Sequence, residues 1–88
     1  MSKIQTTFLR LKSENKKALI PFITAGDPHP DMTVKMLHTL VGSGADMIEV
    51  GIPFSDPMAD GPVIQRASER ALANNIGIKK TIQLVKEF

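Results

Sequence analysis

A parallel α/β fold is predicted for this 88-residue chain, on the strength of three observations. Residues 18–25 and 46–51 are apolar runs too short for helices and rich in strand formers. Between them lies a segment with helical spacing, joined to both by short connections. Strand, helix and strand in that order form a βαβ unit, whose second strand lies parallel to the first through a right-handed crossover. Two parallel strands cannot by themselves bury both faces of a sheet, and the last helical pattern stops at Phe88 without a capping glycine. The expectation is therefore the amino-terminal portion of a larger α/β protein, with residues 1–88 as one incomplete domain truncated after Phe88.

Taken in order, Ile4, Phe8 and Leu11 recur at i, i+4 and i+7 and predict an amphipathic helix ending before the polar run 13–17. Strand one, 18–25, holds Ile20, Phe22 and Ile23 and is closed by Gly26, Asp27 and Pro28. Pro21 offers no ladder donor and belongs at an edge or a bulge. Asp31 is expected to cap the next helix, which turns Met36, Leu37, Leu40 and Val41 inward, with Thr33 one turn earlier, and stops at Gly42 and Gly44. Strand two, from 46 to about 51, sends Met47 and Glu49 to one face and Ile48 and Val50 to the other. Both strands are expected to face buried layers. Pro62 suits the first position of a helix over 62–71, with Ile64, Ala67 and Ala71 on one side, before Asn74, Asn75 and Gly77. A final helix begins near Ile78 with Ile78, Ile82 and Val85 as its apolar stripe.

Composition narrows the function classes. The chain is 42% hydrophobic and 23% charged, the balance of a soluble globular protein. A net charge of +2 is too small to indicate nucleic acid, and Arg10, Lys12, Lys16 and Lys17 read as a solvated face. Without cysteine there is neither a disulfide framework nor a thiolate metal site, which fits a reducing cytoplasm. His29 and His38 have no companions at metal spacing, so no metal is expected. No run approaches the roughly 20 apolar residues that span a membrane, and the start lacks a signal-peptide core. Gly26 and Gly61 form neither a P-loop nor a dinucleotide fingerprint.

Chemistry concentrates in 46–62, DMIEVGIPFSDPMADGP. In parallel α/β architectures ligands gather at the carboxyl ends of the strands, where Glu49, Asp56 and Asp60 all fall. Glu49 shares its face with apolar Met47, a costly place for a charge unless it is paired, neutralised or used. General acid and base catalysis and an internal ion pair are both open to it. Asp60 is read first as the cap of the following helix, and alternatively as a second carboxylate facing the pocket of Glu49. Asp56, between Ser55 and Pro57, suits a local turn or a partner contact. Phe22 is core or the wall of an aromatic ligand site.

PFITAGDP at 21–28 and IEVGIPFSDPMADGPVIQ at 48–65 together closely resemble the tryptophan synthase α-chain family, in the expected order and separation. The resemblance covers essentially the whole chain. It implies a (β/α)₈ TIM barrel, of which this chain is the N-terminal portion, two strands and their helices. The implied reaction is the retro-aldol cleavage of indole-3-glycerol phosphate to indole and glyceraldehyde 3-phosphate in tryptophan biosynthesis. By resemblance Glu49 and Asp60 are the catalytic pair, Phe22 and Ile64 line the indole pocket, and the loop 53–60, with Pro53 and Asp56, meets a β chain. The implied assembly is α₂β₂, with pyridoxal phosphate on the β chain alone and no cofactor in this one. A complete barrel of this type runs to roughly 250 residues and supplies its phosphate loops from late strands, so the isolated 88 residues are expected to be inactive. The alternatives are a non-catalytic fragment that binds a β-chain partner, or another barrel enzyme acting on a phosphorylated small molecule.

Overall fold

In the computed structural model, which describes residues 2–55 and 60–88, the elements follow the order α1 (Lys3–Ser13), β1 (Phe22–Thr24), α2 (Pro30–Gly42), β2 (Glu49–Gly51), α3 (Pro62–Ala73) and α4 (Ile78–Glu87). The strands pair in parallel with Phe22 opposite Glu49, Ile23 opposite Val50 and Thr24 opposite Gly51. Both are shorter than expected, for a reason that lies at their amino ends. Pro21 has no N–H to give, although its carbonyl accepts from Glu49 N–H at 2.9 Å. Earlier still, the Asp46 carboxylate accepts from Leu19 N–H at 2.8 Å and Asp46 N–H donates to the Leu19 carbonyl at 2.9 Å. A side chain thus joins the two segments where a ladder was expected. At the other end Ala25 N–H still reaches the Gly51 carbonyl at 2.9 Å.

The helix starts depart from expectation more than the stops. Ser2 caps α1, its hydroxyl accepting from Gln5 N–H at 3.1 Å. For α2 the cap is His29, whose Nδ1 accepts from Asp31 N–H at 3.2 Å; Pro30 takes the first helical position and moves Asp31 into the first turn. Pro62 likewise opens α3, with Gly61 in the cap position and no side-chain cap, so Asp60 does not cap it. Three helices end in one hydrogen-bond pattern. Lys16 N–H returns to Leu11, Ala45 to Leu40 and Ile76 to Ala71, while Asn15, Gly44 and Asn75 bond three residues back. These are Schellman motifs, and the pivots have the positive φ the motif needs: 55°, 112° and 60°.

Ala25, Ala71, Ile76 and Leu84 form the buried cluster, with Val34 and Val50 packed against it. Val50, on the strand face it shares with Ile23, packs against the buried cluster, while on the other face Phe22 and Glu49 are exposed and Thr24 is buried. The expectation of buried layers on both sides of the sheet is not met at Phe22 and Glu49. On α4 the buried residues are Thr81 and Leu84, and the predicted stripe of Ile78, Ile82 and Val85 is exposed. α2 packs against α4, and α3 against β1.

Candidate active site

Phe22 and Glu49 are neighbours across the sheet, each the first residue of a strand of 3 residues and so two positions before the carboxyl end at which the site was expected. Glu49 is exposed rather than in the apolar surroundings expected from Met47. The Phe22 ring leans along the sheet over Gly51, where an added Cβ would come within 2.5 Å of the ring's Cζ. A glycine at the end of β2 is what leaves the ring room.

Beyond the strands the chain turns at Gly26, whose φ of 86° favours glycine and whose N–H donates to the buried Thr33 Oγ1 at 2.9 Å. This turn presents Asp27 to α3. Arg70 Nε donates to Asp27 Oδ1 at 2.6 Å and Arg70 Nη2 donates to Oδ2 at 3.1 Å, a two-pronged pair. The hydrogen bond to Asp27 raises the Arg70 guanidinium above the ordinary arginine value, against a lowering by desolvation. Asn74 Nδ2 adds a bond to the Pro28 carbonyl at 3.3 Å. Nothing in the local sequence pointed to this pair, since its members lie 43 residues apart. The available signal was the helical spacing of Val63, Ala67 and Arg70, which puts a cation on the stripe facing β1.

A cavity of about 210 Å³ lies between β1 and α3, and Phe22, Thr24, Asp27, Val63, Ile64 and Arg70 are among its lining residues. It brings together the two expected substrate contacts, Phe22 and Ile64. Glu49 and Asp60 are not in its lining. Asp60 is exposed, and its carbonyl accepts from Gln65 Nε2 at 2.7 Å. Pro53, expected among the partner contacts, is buried, while neighbouring Phe54 is 61% exposed. Asp56 lies outside the described residues. A second groove, of about 230 Å³ and lined by Leu37, Val41, Met47, Val50, Val85 and others, holds one carboxylate, Asp46. That carboxylate is already engaged by Leu19 N–H, so the groove offers no free acid or base.

The profile of the family described as tryptophan synthase alpha chain matches residues 8–88. The chain belongs to this family. The tryptophan synthase alpha chain of Azoarcus sp. is 67% identical over all of this chain, which spans 32% of the relative's length. That of Hydrogenovibrio crunogenus is 66% identical over the same extent, again 32% of the relative. Among solved structures, the tryptophan synthase subunit alpha of Legionella pneumophila superposes with a TM-score of 0.99 at 57% identity, covering all of this chain and 34% of that one. Tryptophan synthase from M. tuberculosis in an aminoacrylate-bound form gives 0.90 at 39% identity, covering 97% and 35%. The chain thus spans about a third of the length of its relatives, and its fold is the amino-terminal part of their (β/α)₈ barrel. No helix among the described residues is long and apolar enough to cross a membrane.

Proposed function

We propose that these 88 residues are the amino-terminal third of a tryptophan synthase α chain, which cleaves indole-3-glycerol phosphate into indole and glyceraldehyde 3-phosphate. Family membership supports the reaction, and one local observation supports the site. Phe22, an aromatic wall, and Glu49, an exposed carboxylate, face the same side at the paired positions that open the two strands. Ile64, on the helix reached through Asp60, lines the cavity that Phe22 lines.

The chemistry needs little more than placed carboxylates. A proton must reach indole C3, the proton of the side-chain hydroxyl must leave, and the electron pair of the broken carbon–carbon bond returns to the ring. No net proton is consumed. In this reading Glu49 moves those protons, and Asp60 accepts a hydrogen bond from the indole N–H as positive charge develops on the ring. Phe22 and Ile64 hold the flat ring against the sheet. The loop 53–60, including Asp56, would meet a β chain that carries the pyridoxal phosphate, in a cytoplasmic α₂β₂ assembly.

The test is indole release from indole-3-glycerol phosphate by the full-length α chain to which we assign these residues. Glu49→Gln is expected to lower kcat by at least about 100-fold, the lower end of general acid–base contributions. The 88-residue segment alone should release none, since it offers one side of a site that must enclose its substrate. A Glu49→Gln enzyme as active as its parent would remove Glu49 from the mechanism.

A further inference from the structure

α3 is held by little apolar surface. Its buried residues are Ala67, Ser68 and Ala71, and side chains this small contribute far less by burial than a leucine or phenylalanine does. They also interlock weakly, so they leave the helix free to slide or tilt. The polar ties to the turn after β1 are better defined. Arg70 holds both Asp27 oxygens, at 2.6 and 3.1 Å, and Asn74 reaches the Pro28 carbonyl at 3.3 Å. The Asp27 side chain is 18% exposed and that of Arg70 54%. A planar, two-pronged pair with one partner largely shielded fixes an orientation that a single exposed charge contact does not.

The clamp and the candidate site lie at opposite ends of one helical stripe. Val63, Ala67 and Arg70 follow at i, i+4 and i+7, and all three line the cavity with Ile64 and Phe22. At the amino end, Gly61 and Asp60 lead into the helix. A tilt of α3 about its small-residue seat would therefore carry Ile64 and Asp60 away from Phe22 and Glu49. The guanidinium also borders the cavity, yet its charge and its hydrogen bonds are taken up by Asp27, which makes it a support rather than a ligand for an anionic substrate.

Building on the functional reading above, we propose that Arg70 and Asp27 are positioning residues for the lyase reaction, a clamp that sets where α3 presents Ile64 and Asp60 to the substrate. Lysine in place of Arg70 keeps the charge but grips one oxygen at a time, and glutamine at 70 or asparagine at 27 removes the charge pairing.

The test compares the full-length α chain with Arg70→Gln, Arg70→Lys, Asp27→Asn and the double variant Arg70→Gln/Asp27→Asn. Steady-state lyase kinetics are read alongside hydrogen exchange at the amides of α3. The expected result for Arg70→Gln is a kcat/KM at least tenfold lower, with KM raised and exchange in α3 faster. Asp27→Asn should match it, and the double variant should be no worse than either single, because both halves serve one contact. Arg70→Lys should fall between parent and Arg70→Gln, and it carries the test if the glutamine variant does not fold. Faster exchange with kcat/KM within twofold of the parent in Arg70→Lys and Asp27→Asn would overturn the catalytic role and leave a merely structural pair. Unchanged exchange in α3 would overturn the clamp itself. A parent chain without lyase activity would overturn the functional reading, and the clamp's part in it, by a different signal.

Discussion

Gly51 and Gly26 are both crowded, yet in different ways. At Gly51 an added methyl group would meet the tip of the Phe22 ring, 2.5 Å from Cζ and 2.9 Å from Cε2. That ring is 44% exposed and turns on two torsions, so it can move aside. Gly51→Ala in the full-length chain is expected to cost about 1 kcal/mol, the low end for overpacking. Its larger effect is a displaced aromatic wall and a raised KM for indole-3-glycerol phosphate. At Gly26 the methyl group would overlap Ile76 in the buried cluster, and the backbone φ of 86° is itself unfavourable for alanine. Strain and overpacking add there, for an expected loss of roughly 3 kcal/mol. Urea denaturation of the two variants checks the ranking, and equal midpoint shifts would contradict it.

Among the elements, helix ends were more legible than helix starts or strand lengths. Gly44 and Asn75 announce turns because few other residues accept positive φ, and both are Schellman pivots, as is Asn15 within the polar run 13–17. The cap of α2 differs from expectation, since histidine is an uncommon cap and Asp31 stands in the first turn of the helix that Pro30 begins. The strands are shorter than their apolar runs, which do not reveal that Asp46 bonds to Leu19 in place of a ladder. For the candidate site, Glu49 and Phe22 were legible as candidates from pattern, and Ile64 from resemblance alone. Arg70 was not, because its partner is set by tertiary packing across 43 residues. The pivot of α3 can be tested directly, as its φ of 60° and the burial of Ile76 beside it tie helix end to core. Asn75→Ala should lower stability by about 1 kcal/mol, the price of left-handed backbone at a residue with a Cβ. Asn75→Gly should change it by less than about 0.5 kcal/mol, and thermal unfolding of the two full-length variants would separate them.

At the scale of the whole molecule, the decisive quantity is how much apolar surface the 88 residues can cover for one another. The Cα radius of gyration is 14.3 Å, whereas a compact domain of this length would have about 12 Å. Ile20, Phe22, Ile52, Phe54, Val63, Ile78 and Ile82 are all among the exposed large apolar residues, and three of the seven hydrophobic residues buried among the described residues are alanines. Parallel sheets are stable with both faces covered, and here Phe22 and Glu49 are left exposed on one of them. The helices should therefore share too small a core to make their melting cooperative. Purified alone, the 88-residue segment is expected to show helical circular dichroism that declines gradually on heating. It should also bind a hydrophobic dye and sediment as mixed oligomers as its open strand edges pair. The full-length α chain should instead unfold in one sharp transition and bind little dye. A monomeric segment with a sharp, reversible melt would show that these elements close a core by themselves. The clamp between Arg70 and Asp27 would then be measurable in the segment as well as in the full-length chain.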